Sequence, residues 1–160
     1  MWNTDTKYDI SVETGIGTRD TYAGIIRIAT FMYTLFFMIF IFIGHFEFAA
    51  IAAIFVIINV SLIHCHQISF PFWVVTEHIQ ILITASFGVT SMGWQYGFQL
   101  VLLLGIALNY FAPYNRRIKA FFLPLAELLL YIYLYLNYAS AAPTFALPLV
   151  FVYIIHGSIM

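Results

Sequence analysis

Six long apolar stretches are the feature of this sequence that most limits its fold. Short segments containing glycine, proline or charged residues separate them, and they lie at about residues 23–44, 47–65, 71–92, 97–112, 118–137 and 143–160. A helix needs about 20 predominantly apolar residues to cross a bilayer. Because backbone polar groups in lipid must be hydrogen-bonded within the protein, the pattern predicts an all-α bundle of six transmembrane helices.

The composition excludes an ordinary soluble domain. Of the 160 residues, 63% are hydrophobic and 8% are charged, whereas soluble domains carry about 25% charged residues. The net charge of −1 and the lack of a basic run give no indication of nucleic-acid binding. The partner that this composition predicts is the lipid bilayer. The single cysteine excludes a disulfide within the chain.

The first 22 residues differ from the rest of the chain. They are polar, mixed in charge and without the apolar core of a cleaved signal peptide. We therefore predict an N-terminal segment over residues 1–22, followed by one membrane domain over residues 23–160. Within the segment, the alternation of Tyr8, Ile10 and Val12 suggests a short strand or a stretch that lies on the membrane surface.

The basic residues indicate the orientation of the bundle. All six lie before or at the start of the first span or between the fourth and fifth spans: Lys7, Arg19, Arg27, Arg116, Arg117 and Lys119. With six spans, both groups fall on the same side of the membrane. The positive-inside rule makes that side cytoplasmic, so we predict that both termini are cytoplasmic.

The last apolar stretch, residues 143–160, runs to the end of the sequence without a flanking charge. A final span is usually followed by a polar anchor. The pattern is typical of a membrane module that precedes a cytoplasmic domain. A complete small protein with a bare end is the alternative.

Several polar residues are predicted to lie at membrane depth. Glu127 comes nine residues into the fifth span, which corresponds to a depth of about 14 Å. Ionisable residues at such depth are costly and usually face the bundle interior, so they predict a ligand or proton site. The candidate ligand-binding residues, contributed by spans two to five, are Asn59, Glu77, His78, Gln80, Asn109 and Glu127.

One face of the third span carries small and polar residues at a spacing of three and four. The residues of this polar stripe are Glu77, Gln80, Thr84, Gly88 and Ser91. The spacing fits a helix-packing seam, in which small residues allow close approach and polar ones hydrogen-bond across helices. It also fits a site built around Glu77, Gln80 and Glu127. A seam does not need a carboxyl at mid-membrane, so Glu127 favours the functional interpretation.

The histidines raise the question of a cofactor. His64 and His66 would point about 200° apart on one helix, and only an unwound turn would let them share zinc or copper with Cys65 and His78. A b-type haem between His64 or His66 and His78 is an alternative, as is a quinone near Glu77 and His78. The spacing matches no strong metal motif, so we predict no cofactor. We also find no phosphate loop or nucleophile motif and predict no catalytic residue in this chain.

The segment "MGWQYGFQLVLLLGIALNYF", followed by "RIKAFFLPLAELLLYIYLYLNY", resembles a known kind of membrane module. It is similar to the membrane-associated sensor (MASE-type) domains that precede bacterial diguanylate, adenylate or guanylate cyclase domains. The matching residues are Gly93, Trp94, Gly97, Phe98 and Gln99. The detailed resemblance covers about residues 60 to 140. Apart from the resemblance, Gly93 is predicted to end the third span in a left-handed cap and Gly97 to begin the fourth.

The resemblance implies a sensory and anchoring module in the bacterial inner membrane. It further implies a homodimer and a C-terminal cytoplasmic cyclase domain that this sequence does not contain. Two other classes of function stay open: an electron-transfer anchor that binds haem b or quinone, and a small proton-coupled transporter that uses Glu77 and Glu127.

Overall fold

The computed structural model describes residues 6–65, 69–109 and 117–142, which form helices and turns but no strand. A short 3₁₀ turn at Trp94–Tyr96 precedes α4. The α-helices in chain order are α1 (Thr6–Phe42), α2 (Phe46–His64), α3 (Phe70–Met92), α4 (Leu100–Leu108) and α5 (Arg117–Tyr138). The all-α prediction is therefore confirmed for the described part of the chain.

Four of these helices are long and apolar enough to cross a membrane. The four segments correspond to the first, second, third and fifth predicted spans: Asp20–Phe42, Phe46–His64, Pro71–Met92 and Phe121–Tyr138. The fourth predicted span is helical over the nine residues of α4 in the described part, and the sixth, residues 143–160, lies outside the described residues. The membrane character is supported, and the count of six spans stays a prediction.

The first helix is longer than the sequence suggests. It runs without interruption from Thr6 to Phe42, over 37 residues. The short strand suggested for residues 8–12 is therefore wrong. Three alternating residues are a weak signal, and a strand needs a paired neighbour to satisfy its backbone, which a helix does within itself.

The turn between α3 and α4 delays the start of α4, which begins at Leu100 and not at residue 97 as predicted. Both glycines of the turn have positive φ, 120° at Gly93 and 81° at Gly97. Side chains with a Cβ avoid this region. The backbone of Gly97 has the left-handed helical conformation. Gly93 has a ψ of 163°, which lies outside that conformation, so the left-handed cap predicted at Gly93 is wrong in its geometry.

Helix α3 lies at the centre of the described bundle. It contacts α2, α4 and α5, while α1 packs mainly along α2. The burial of the helices agrees with this position, because 56% of the residues in the most apolar part of α3 are buried, against 11% in that of α5. Any site built from several helices must therefore involve α3.

Aromatic rings fill the end of the bundle next to the α3–α4 turn. Phe48 lies between Phe40 and Phe98, with ring centroids 4.3 Å and 5.2 Å away. A Cβ added at Gly88 would lie 2.3 Å from Cγ of Phe98, so this stripe position requires glycine. Gly88 therefore allows the close approach that the packing interpretation of the stripe predicts for its small residues.

Candidate functional site

All but one of the predicted site residues lie in the protein interior. Asn59, His78 and Glu127 are fully buried, and Glu77 and Gln80 are at most 2% exposed. Asn109 is the exception, because it is half-buried at the C-terminal end of α4. The buried residues do not form one cluster, because α3 presents them to three different neighbouring regions.

The first of these regions contains a histidine–carboxylate pair between α3 and α5. Nδ1 of His78 lies 2.6 Å from Oε1 of Glu127, and both side chains are completely buried. When the carboxylate is ionised it can only accept, so the Nδ1–H of His78 donates. Nε2 of His78 and Oε2 of Glu127 have no hydrogen-bond partner among the described residues.

A glycine on α4 makes room for this pair. A Cβ added at Gly105 would lie 2.2 Å from Oε1 of Glu127 and 2.7 Å from its carboxyl carbon. Only glycine allows α4 to approach the carboxyl group this closely. Three helices, α3, α4 and α5, therefore converge on the His78–Glu127 pair.

The site predicted around Glu77, Gln80 and Glu127 does not form as a single cluster. The hydrogen-bond partner of Glu127 is His78, which was singled out as a haem or metal candidate. Adjacent residues on a helix point about 100° apart. Glu77 and His78 therefore cannot both face α5. The signal that would have indicated the true pair is a buried acid and a buried base on different spans.

The second region joins α3 to α2 through two amides. Nε2 of Gln80 donates to Oδ1 of Asn59 at 2.7 Å, and both residues are buried. The remaining polar atoms, Nδ2 of Asn59 and Oε1 of Gln80, have no partner in the described part of the chain. This contact is the interhelical hydrogen bond that the packing interpretation of the stripe predicts.

The third region is a cavity between α1, α3 and α4, which we call the Glu77 cavity. Its volume is about 210 Å³, and its polar lining residues are Tyr33, Glu77 and Thr84. The hydroxyl groups of Tyr33 and Thr84 lie 3.2 Å apart and bond to each other. Oε1 of Glu77 is buried and has no partner among the described residues, and every other lining residue is apolar.

Tyr33 is the lining residue that the sequence did not indicate. It lies on α1 in a segment rich in aromatic and aliphatic residues, and no spacing there distinguishes it from its neighbours. The one available signal is its hydroxyl group, because a tyrosine in a span usually finds a polar partner when buried.

The histidine-rich end of α2 has a different environment. His64 is exposed and its Nδ1 lies 2.8 Å from the carbonyl oxygen of Val60 on the same helix. Cys65 is also exposed, and His66 lies outside the described residues. In the described ranges, no three histidine, cysteine, aspartate or glutamate residues come together to hold a metal. His64 thus lies at the surface, whereas His78 lies in the interior.

The residues that carry the family resemblance form the α3–α4 turn and its contacts. Trp94 packs edgewise against Tyr131 and Tyr135 of α5, with ring centroids 5.5 Å and 5.6 Å away. Phe98 is fully buried in the aromatic cluster, and Gln99 is 7% exposed. The physical role of this segment is to hold the turn against α5. Comparison with protein-family models, with curated proteins and with solved structures finds no match for this chain.

Proposed function

We propose that this chain is the membrane-embedded sensory module of a signalling protein and that its ligand site is the Glu77 cavity. The observation that supports the proposal is the buried carboxyl of Glu77, which lines an apolar cavity and has no partner among the described residues. A buried polar group without a partner destabilises a protein. Ionisable residues inside membrane bundles are therefore associated with ligand or ion sites.

The proposed module has six transmembrane helices with both termini in the cytoplasm of a bacterial cell, and it lies in the inner membrane. It works as a homodimer and regulates a nucleotide cyclase domain that follows it in the parent protein. The basis for this part of the proposal is the resemblance of Gly93, Trp94, Gly97, Phe98 and Gln99 to MASE-type domains.

Signal transmission in this proposal depends on α3. Glu77 faces the cavity, while its neighbour His78 bonds to Glu127 on α5 and Gln80 bonds to Asn59 on α2. A ligand shifts an equilibrium only if it binds one arrangement of helices better than another. Because one helix carries all three contacts, a small shift of α3 on ligand binding changes its contacts with both α2 and α5. Helix shifts of about 1–2 Å are a known form of such switching.

The proposal is tested with a fusion that joins residue 160 to a nucleotide cyclase domain. Cyclase activity in isolated membranes is measured with and without an added lipid extract of the host. We expect the extract to change the activity of the wild-type fusion but not of Ala29→Phe, which fills the cavity from its α1 wall. The matched control is Ala50→Phe, because Ala50 is exposed on α2. An Ala29→Phe fusion that responds like wild type contradicts the proposal.

The His78–Glu127 pair favours a second candidate function, proton-coupled transport. A buried acid and base can exchange a proton when they share a hydrogen bond, and here each also has one polar atom without a partner among the described residues. Proton flux is measured in proteoliposomes with a pH-sensitive dye, and Glu127→Gln should abolish it. The control is Glu47→Gln at the exposed start of α2. Equal flux in wild type and Glu127→Gln rules out this role for the pair.

A further inference from the structure

We propose that the Glu77 cavity binds, from the bilayer, a lipid-soluble molecule with one aromatic ring and a hydroxyl group, a phenol or a hydroquinone, whose hydroxyl donates to Glu77. This inference rests on the proposed function only in taking the cavity as the ligand site. The size of the cavity supports a single ring. Its volume is about 210 Å³, and an engineered apolar cavity of about 150 Å³ is known to bind benzene.

The rim of the cavity indicates how a ligand enters. Ile28 on α1 and Leu104 on α4 line the cavity and are 67% and 46% exposed, so they lie at its opening. Ile28 belongs to a segment that is apolar and long enough to span the membrane. The opening is therefore lateral and faces lipid. A route of this kind admits molecules that are soluble in the bilayer and strongly disfavours charged solutes.

The polar groups of the cavity determine which head group fits. Tyr33 and Thr84 bond to each other, so the polar lining atom that lacks a partner among the described residues is Oε1 of Glu77. A carboxylate only accepts hydrogen bonds, and a protonated carboxyl keeps an accepting oxygen. In both states Glu77 can receive a hydrogen from a ligand. The one ion pair among the described residues joins His78 and Glu127, so none of the cations with a described side chain forms an ion pair with Glu77.

A neutral hydroxyl suits this acceptor better than an ammonium group. Moving a hydroxyl out of water costs far less than moving an isolated charge, and the route through the lateral opening is apolar. The aromatic ring also has suitable neighbours, because Phe36 and Met32 form part of the wall. Rings pack well in edge-to-face contacts with aromatic side chains, and sulfur contacts ring edges favourably.

The test compares two probes that differ in the hydroxyl group alone, 4-butylphenol and 4-butylanisole. Binding to the full chain in lipid nanodiscs is measured by titration calorimetry, and empty nanodiscs correct for partitioning into lipid. We expect the phenol to bind about tenfold more tightly than the anisole, which corresponds to about 1.4 kcal/mol. Glu77→Leu should remove this preference, and Glu77→Gln should keep most of it because an amide oxygen also accepts. Glu47→Gln should have no effect.

A second pair of probes identifies the source of the head group. Dimethylhydroquinone is compared with 4-butylphenol under reducing conditions, and dimethylquinone is measured without reductant. Hydroquinone binding more tightly than the phenol assigns the site to a membrane quinol, and weaker hydroquinone binding assigns it to a phenol. Tighter binding of the quinone than of the hydroquinone overturns the proposal, because the quinone can only accept hydrogen bonds.

Three other results also overturn the proposal: equal binding of phenol and anisole to the wild type, an unchanged preference in Glu77→Leu, and no binding of either probe. Retention of the preference in Glu77→Gln shows that this variant is folded, and continued binding of the anisole by Glu77→Leu shows the same for the leucine variant. The fusion assay with Ala29→Phe is independent of the probes. A wrong ligand class therefore leaves the proposed sensory function standing, whereas an Ala29→Phe fusion that still responds overturns the function itself.

Discussion

The His78–Glu127 pair provides the sharpest test of the interior of this bundle. We consider replacing each residue by leucine, singly and together. The two side chains are completely buried and joined at 2.6 Å. Removing one partner of a buried ion pair costs about 3–5 kcal/mol. Ordinary hydrogen bonds between membrane helices are worth about 0.6 kcal/mol on average, with a maximum of about 1.7 kcal/mol.

For the single variants, we expect losses in the free energy of unfolding that lie between the values for hydrogen bonds and those for ion pairs. In His78→Leu, Glu127 loses its one described hydrogen bond, because its Oε2 has no partner in the described part of the chain, and Gly105 brings α4 directly against it. We expect a loss of about 3 kcal/mol in the free energy of unfolding. Glu127→Leu leaves the buried His78 ring with an N–H that has lost its acceptor and should cost about 2 kcal/mol.

The double variant distinguishes a coupled pair from two independent side chains. It leaves no unpaired polar group from either residue, so we expect a loss of about 1 kcal/mol or less, well below the sum of the single losses. The assay is unfolding in mixed micelles with increasing dodecyl sulfate, monitored by tryptophan fluorescence. The matched control is Glu47→Leu at an exposed position, which should leave the midpoint nearly unchanged. If the losses of the single variants add within about 0.5 kcal/mol, the coupling inferred from the structure is refuted.

Three further predictions use the same unfolding assay or a reporter. Gly105→Ala should cost about 1–3 kcal/mol because its Cβ meets the Glu127 carboxyl, whereas Gly24→Ala, with open space around it, should stay within about 0.5 kcal/mol of wild type. Thr84→Val should cost about 1 kcal/mol because Tyr33 loses its hydroxyl partner, and an unchanged midpoint would show that this bond does not stabilise the bundle. A fluorescent protein that folds only in the cytoplasm, fused after residue 160, should be bright if six spans are present, and a dark fusion argues for an odd number.

The helices that the sequence predicts best are those between clear breakers. The predicted second, third and fifth spans agree with α2, α3 and α5 to within one residue at each end. Hydropathy is a local property of the sequence, and the bilayer sets the length of a span. The ends of these helices can therefore be predicted without knowing which helices pack beside them. The start of α4 was missed because the positive φ of Gly97 and the 3₁₀ turn before it depend on packing of the turn against α5.

The polar stripe shows what the periodic pattern can predict and what it cannot. Its spacing predicted correctly that Glu77, Gln80 and Thr84 face the interior, because a helical period of 3.6 residues places them on one side. Periodicity gives the direction of a side chain on its own helix only. The neighbour that each residue meets depends on which helices lie beside α3.

For this protein, the sequence alone determined the helical class, the membrane character and the inward direction of the buried polar residues. These follow from local composition and from the bilayer as solvent. The tertiary structure decided that Glu127 pairs with His78, that Gln80 pairs with Asn59 and that Glu77 lines a cavity apart from both pairs. The physical reason is that adjacent residues on α3 differ by about 100° in direction, so the rotation of α3 among its neighbours selects each partner, and no local pattern in the chain encodes that rotation.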